Sequence, residues 1–137
     1  MRVMLDTNVI VSAVLFPASQ LSRSVLELSE RHGLVMCDKV IAELREVMGR
    51  KFSDKVQACE VFLKKLDYEL ALSPTDITKD VYPNIRDEND YPILAASIIA
   101  NVDVFISGDG DFLASNVIRP KIMTISAFSD TYMKPEE

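Results

Sequence analysis

Four carboxylates interrupt otherwise apolar stretches of this chain, and they are the residues best suited to chemistry. Asp6 directly follows the run Val3-Met4-Leu5, in the string Met4-Leu5-Asp6-Thr7-Asn8. Asp109 follows Val104-Phe105-Ile106, in the string Ser107-Gly108-Asp109-Gly110-Asp111-Phe112. Glu43 sits in Lys39-Val40-Ile41-Ala42-Glu43-Leu44, and Asp90 closes the acidic stretch from Asp87 just before Tyr91-Pro92-Ile93-Leu94. Carboxylates within a few ångströms of one another repel and cannot all remain ionised without compensation. A hard divalent ion such as Mg²⁺ or Mn²⁺ supplies it, because such ions take oxygen ligands and keep several waters. They also bridge phosphate oxygens, acidify bound water and steady a leaving oxygen, so the chemistry implied is phosphodiester cleavage. Each acid has an ordinary explanation as well. Asp6 and Asp109 could cap the helices that follow, Asp87, Glu88 and Asp90 could answer a helix dipole, and Glu43 could be a solvated surface group.

To bring these acids together, the chain needs elements that end in one place. Short apolar runs predict strands over residues 2–5, 34–37, 68–72, 104–106 and 122–125. Helices are expected from Val9 to Pro17 and over 19–32, the second stopped by Arg31, His32 and Gly33. Asp38 is expected to cap a helix over 39–49, and Asp54 one over 55–66. Residues 91–100 are apolar on most sides and predict a central, buried helix, with Pro92 in its first turn. Residues 73–86 read as a loop, and the tail 133–137 as frayed. Strands alternating with helices predict a three-layer α/β/α domain around a central parallel sheet of about five strands, spanning 1–137 as one domain. In such sheets ligands bind beyond the carboxyl ends of the strands, where strand order reverses. Asp6 and Asp109 converge there if the first and fourth strands are neighbours.

On the helix over 39–49 the apolar stripe is Val40, Ile41, Leu44, Val47 and Met48. At about 100° per residue Glu43 borders that stripe, while Glu46 lies one step further toward solvent. Glu43 is therefore the acid expected to turn inward. The single histidine, His32, stands at a helix end and is not required as a base.

The 137 residues carry 21 acids against 15 bases, for a net charge of −6. That balance argues against a broad basic surface gripping nucleic acid, yet the four proposed ligands account for most of the excess. Lys39, Arg45, Arg50, Lys51 and Arg86 could meet phosphates, but as scattered residues they read first as solvated charges. No run of about 18 apolar residues is present, and the start lacks the basic leader of a signal peptide, so no membrane association is expected. Cys37 and Cys59 lack metal-site spacing and sit in apolar patterns, which predicts reduced core residues of a cytoplasmic protein.

At these motifs the sequence resembles the PIN-domain family, and its short VapC-like toxin components in particular. The resemblance rests on Leu5-Asp6-Thr7-Asn8-Val9, on Glu43, on Asp87 to Asp90 leading into Ile93-Leu94-Ala95, and on Ser107-Gly108-Asp109-Gly110-Asp111-Phe112-Leu113. It implies a Rossmann-like fold and a Mg²⁺- or Mn²⁺-dependent endoribonuclease. In that likeness Asp6, Glu43, Asp90 and Asp109 are catalytic and hold metal, and Asp111 assists at the metal. Thr7, Asn8, Asp87 and Ser107 support them. The implied reaction is attack of a metal-activated water on RNA, leaving a 5′-phosphate and a 3′-hydroxyl. A homodimer and an inhibitory antitoxin partner are implied too. Asn89 departs from the pattern, since many relatives carry an acid there.

Two other readings fit parts of the chain. One is a non-catalytic PIN scaffold that binds RNA or protein. The other is a receiver-like Mg²⁺-binding signalling domain, which is disfavoured because the middle strand leads into Ser73-Pro74 with no acceptor aspartate.

Overall fold

A computed structural model describes residues 1–74, 91–114 and 119–133. In chain order the elements are β1 (Arg2–Leu5), α1 (Thr7–Leu15), α2 (Gln20–Arg31), β2 (Gly33–Cys37), α3 (Asp38–Lys51), α4 (Val56–Lys65) and β3 (Tyr68–Ala71). They continue with α5 (Tyr91–Ile99), β4 (Val104–Ile106), α6 (Gly110–Leu113), β5 (Lys121–Met123) and α7 (Ile125–Tyr132). The strands form one sheet in the order β3-β2-β1-β4-β5, and every pairing is parallel.

Burial shows how the layers stack. Val3, Met4 and Leu5 of β1, Leu34 to Cys37 of β2 and all of β4 are buried, although side chains alternate between the two faces. Central strands can be buried continuously only when helices cover both faces, which is the three-layer α/β/α arrangement. The outer strands differ: β3 exposes Glu69 and Leu70, and β5 exposes Lys121, as edges do. Cys37 and Cys59 are buried, free thiols. Among the described residues no single helix is long and apolar enough to cross a membrane.

Several local expectations need correction. Asp54 does not cap α4: it lies inside a 3₁₀ turn, Ser53–Lys55, and no side chain caps the helix start. Asp38 is the first residue of α3 and not its extended cap; its Oδ1 accepts from Lys39 N (2.8 Å) and also from Ser73 N (2.8 Å), tying the exit of β3 to α3. The burial of α5 is confined to Ile93–Ser97, while Ile98 and Ile99 are exposed. Its last turn runs to the amino-terminal edge of the sheet, where the chain reverses at Asn101 (φ 55°). There Val102 N donates to Ser97 O and Asn101 N to Ile98 O (3.0 Å each), closing the helix with a left-handed cap.

The expected strand over 122–125 stops at Met123, and Ile125 instead opens α7. Thr124 Oγ1 accepts from Ala127 N (3.1 Å) and so starts that helix. Met133 is buried against the core, which removes it from the expected frayed tail; residues 134–137 lie outside the described residues. Residues 75–86 of the expected loop also lie outside them.

The turn into α2 shows how strongly one hydroxyl can act. Ser19 Oγ accepts from Ser22 N (3.1 Å) and donates to Phe16 O (2.6 Å), fixing both sides of the α1–α2 corner. Ser19→Ala should cost about 1 kcal/mol, readable as a lower midpoint in urea with an unchanged slope.

Candidate functional site

Sheet register places the site. Leu5 pairs with Ile106, and the ladder runs one step further as Asp6 N donates to Ile106 O (2.9 Å). Ser107 N in turn donates to Met123 O (3.1 Å). The residues that follow β1 and β4 are thus level with each other at the carboxyl edge of the sheet. β1 leads toward β2 on one side, while β4 and β5 lie on the other, so this edge is where the strand order reverses.

Asp6 is 6% exposed and does two things at once. Its Oδ1 accepts from Thr7 N (2.8 Å) at the start of α1, while its Oδ2 accepts from Ser107 Oγ (2.9 Å). Capping therefore does not separate Asp6 from the end of β4: one oxygen caps α1 and the other meets Ser107. Ser107 is fully buried, and its Oγ also accepts from Asp109 N (3.0 Å), so one hydroxyl links the two acids that follow β1 and β4. Asp109 is half-buried, and its carbonyl accepts from Leu113 N (3.1 Å) in α6. Phe112 on α6 packs on Phe105 of β4 with ring centroids 4.8 Å apart, which seats this loop on the core.

From the other side, Thr7 Oγ1 donates to Glu43 Oε2 (3.2 Å), turning that exposed side chain of α3 toward the end of β1. Glu46 points away and pairs with Arg50 at the surface (2.7 Å). Burial holds the Asp6 carboxyl above the usual range; the hydrogen bonds from Ser107 and Thr7 pull it down, and the negative charges of Glu43 and Asp109 push it up again. Asp87, Asp90 and the side chain of Asp111 lie outside the described residues.

The structure therefore brings Asp6, Thr7, Glu43, Ser107 and Asp109 together. It does not close three acids into a ligand shell: among the described residues no three Asp, Glu, His or Cys side chains are grouped tightly enough to hold one ion. The donor set is nonetheless all oxygen and clustered in negative charge, which suits a hard divalent cation and not a thiolate- or imidazole-seeking metal.

Beside this cluster lies a pocket of about 250 Å³ that Asn8 and Asp109 share with Ser12 of α1, Leu21 of α2, and Thr124 and Ile125 at the start of α7. Ser12 and Thr124 carry no sequence motif and were not among the expected site residues. Thr124 directly follows β5, a position the sequence hides because residues 122–125 read as one strand. His32 lies elsewhere, its ring edge-on to Phe128 (5.4 Å) and its Nδ1 3.4 Å from the amino terminus. Burial, the terminal ammonium and Arg31 push its pKa down, with the Tyr132 backbone opposing. Of the scattered bases, Arg45 pairs with Glu60 (2.9 Å) and Arg50 with Glu46, both at the surface.

The sequence model of the PIN domain family matches residues 2–111, and the chain belongs to that family. Among solved structures, a chain in the crystal structure of VapBC2 from Rickettsia felis, bound to a DNA fragment from their promoter, superposes with a TM-score of 0.68. The two share 17% identity over 90% of this chain and 98% of the other, so that likeness speaks for the fold. Comparison with curated protein sequences gives no match.

Proposed function

We propose that this PIN domain is a Mg²⁺- or Mn²⁺-dependent endoribonuclease and the toxin of a toxin–antitoxin pair. The observation that carries the reading is a buried carboxylate, Asp6, flanked by two more acids, Glu43 and Asp109, at the reversal point of a parallel sheet. These three residues, with Asp90 and Asp111 as the remaining candidates, would hold the ion. Such an ion offsets the clustered charge, acidifies water and neutralises charge developing on a phosphate. Ser107 keeps the Asp6 carboxylate in place and orients the Asp109 backbone. Thr7 tethers Glu43, and Asn8 offers an exposed amide at the pocket mouth. Asp87 is proposed to support the Asp90 side of the site. The structural likeness to a VapBC2 chain supports an antitoxin partner, and a homodimer and a cytoplasmic setting belong to the same reading.

The test is an assay of mixed RNAs with Mg²⁺, Mn²⁺ or chelator. Cleavage with either ion and none in chelator is expected; equal cleavage in chelator refutes the metal mechanism. The alternative is a non-catalytic scaffold of the same fold that binds RNA or protein. RNA binding without cleavage under any ion would establish it. The facing of α3 gives a further prediction. Glu43→Gln should lower cleavage at least about 10-fold. Glu46→Gln, which breaks only an exposed ion pair, should stay within about 2-fold of wild type.

A further inference from the structure

We propose that the pocket between the start of α1, α2 and α7 is the subsite that reads one RNA base next to the scissile phosphate, with Ser12 and Thr124 as specificity-determining residues. This rests on the nuclease reading above. The pocket of about 250 Å³ is continuous with the acidic cluster, since Asn8 and Asp109 line it. That is slightly below the roughly 300–1,000 Å³ of sites for drug-sized ligands, and suits a single ring system.

Its chemistry selects a base over a phosphate. Among the described residues that line it, none is a lysine or arginine that could hold a phosphate. Apart from Asp109, the polar groups Asn8, Ser12 and Thr124 are neutral and can both donate and accept, as the edge of a base requires. The oxygen of Thr124 already accepts from Ala127 N, which leaves its hydrogen to donate outward. Leu21 and Ile125 supply apolar surface for the ring. Sequence reading on RNA takes place on unstacked single-stranded bases, and a small pocket lined mostly by neutral groups beside the acidic cluster matches that mode.

The experiment maps cleavage of a randomised RNA pool by the wild type, Ser12→Leu and Ser12→Ala in Mn²⁺. In parallel, anisotropy measures binding of fluorescein-labelled homopolymeric RNAs of each base to Asp6→Asn protein with and without the Ser12 changes. A base preference at one position beside the cut is expected, falling at least about 5-fold in Ser12→Leu and less in Ser12→Ala. A wild type with no base preference, or a preference unchanged in both Ser12 variants, overturns the subsite while leaving the nuclease reading intact. No ion-dependent cleavage by the wild type overturns the nuclease reading instead, and the binding arm then decides. Discrimination among the homopolymers that Ser12→Leu removes supports the pocket, and equal binding of all of them overturns it. Should Ser12→Leu fail to fold, Ser12→Ala carries the same comparison.

Discussion

Asp6→Asn is expected to lower RNA cleavage by about a thousand-fold or more and, in chelator at neutral pH, to raise the melting temperature of the protein. The two effects have one cause. Burial and the neighbouring charges of Glu43 and Asp109 hold the folded-state pKa of Asp6 above its unfolded value. Between those values the folded chain binds more protons than the unfolded chain, so stability falls as pH rises through that window, and the full penalty applies above it. Asparagine keeps an oxygen for Thr7 N and removes the charge. The stability advantage of the variant should therefore be largest at neutral pH and shrink on acidification, which thermal melts across pH would read. A variant that melts lower than wild type at neutral pH, or an advantage that grows on acidification, would show that Asp6 is a structural group and not a strained functional one.

Ser107→Ala should be the most damaging change of a neutral residue at the site. It removes the donor to Asp6 Oδ2 and leaves the Asp109 amide without the oxygen it now uses, both at a residue with no exposure. Leaving such groups unsatisfied costs about 1–3 kcal/mol. At this chain length that is a fall of roughly 3–10 °C in melting temperature. Because the Ser107 bond pulls the Asp6 pKa down, its loss should also move that pKa further up and steepen the loss of stability with rising pH. Ser107→Thr, which retains a hydroxyl, should recover part of both effects. An unchanged melting temperature in Ser107→Ala would mean that water or another group replaces the hydroxyl at no cost.

Much of this site was legible because acids are conspicuous where apolar runs stop. Asp6 and Asp109 stood out for that reason, but their convergence depended on β1 and β4 being neighbours, which only the sheet pairing supplies. The inward turn of Glu43 was readable from helical periodicity, and the structure adds the agent, the Thr7 hydroxyl. Other features were less legible. The left-handed end of α5 rests on Asn101, whose tolerance of positive φ is shared by many asparagines that never use it. The start of α7 was hidden because Ile122, Met123 and Ile125 read as one strand. Ile125, Phe128 and Tyr132 carry the three- and seven-residue spacing of a helix face, and Thr124 is the cap. Asp54 shows the reverse error: a residue of capping type is no cap unless the backbone around it is extended. Ser12 and Thr124 were invisible as site residues, since such hydroxyls are common on helices and at helix caps, and only the folded chain sets these two along one pocket.

Manganese binding to the intact protein, measured by calorimetric titration, tests the central claim most directly. The account predicts that wild type binds the ion and that Asp6→Asn and Asp109→Asn each weaken it by about 10-fold or more, since both acids contribute to one site. Equal binding by all three proteins would contradict it.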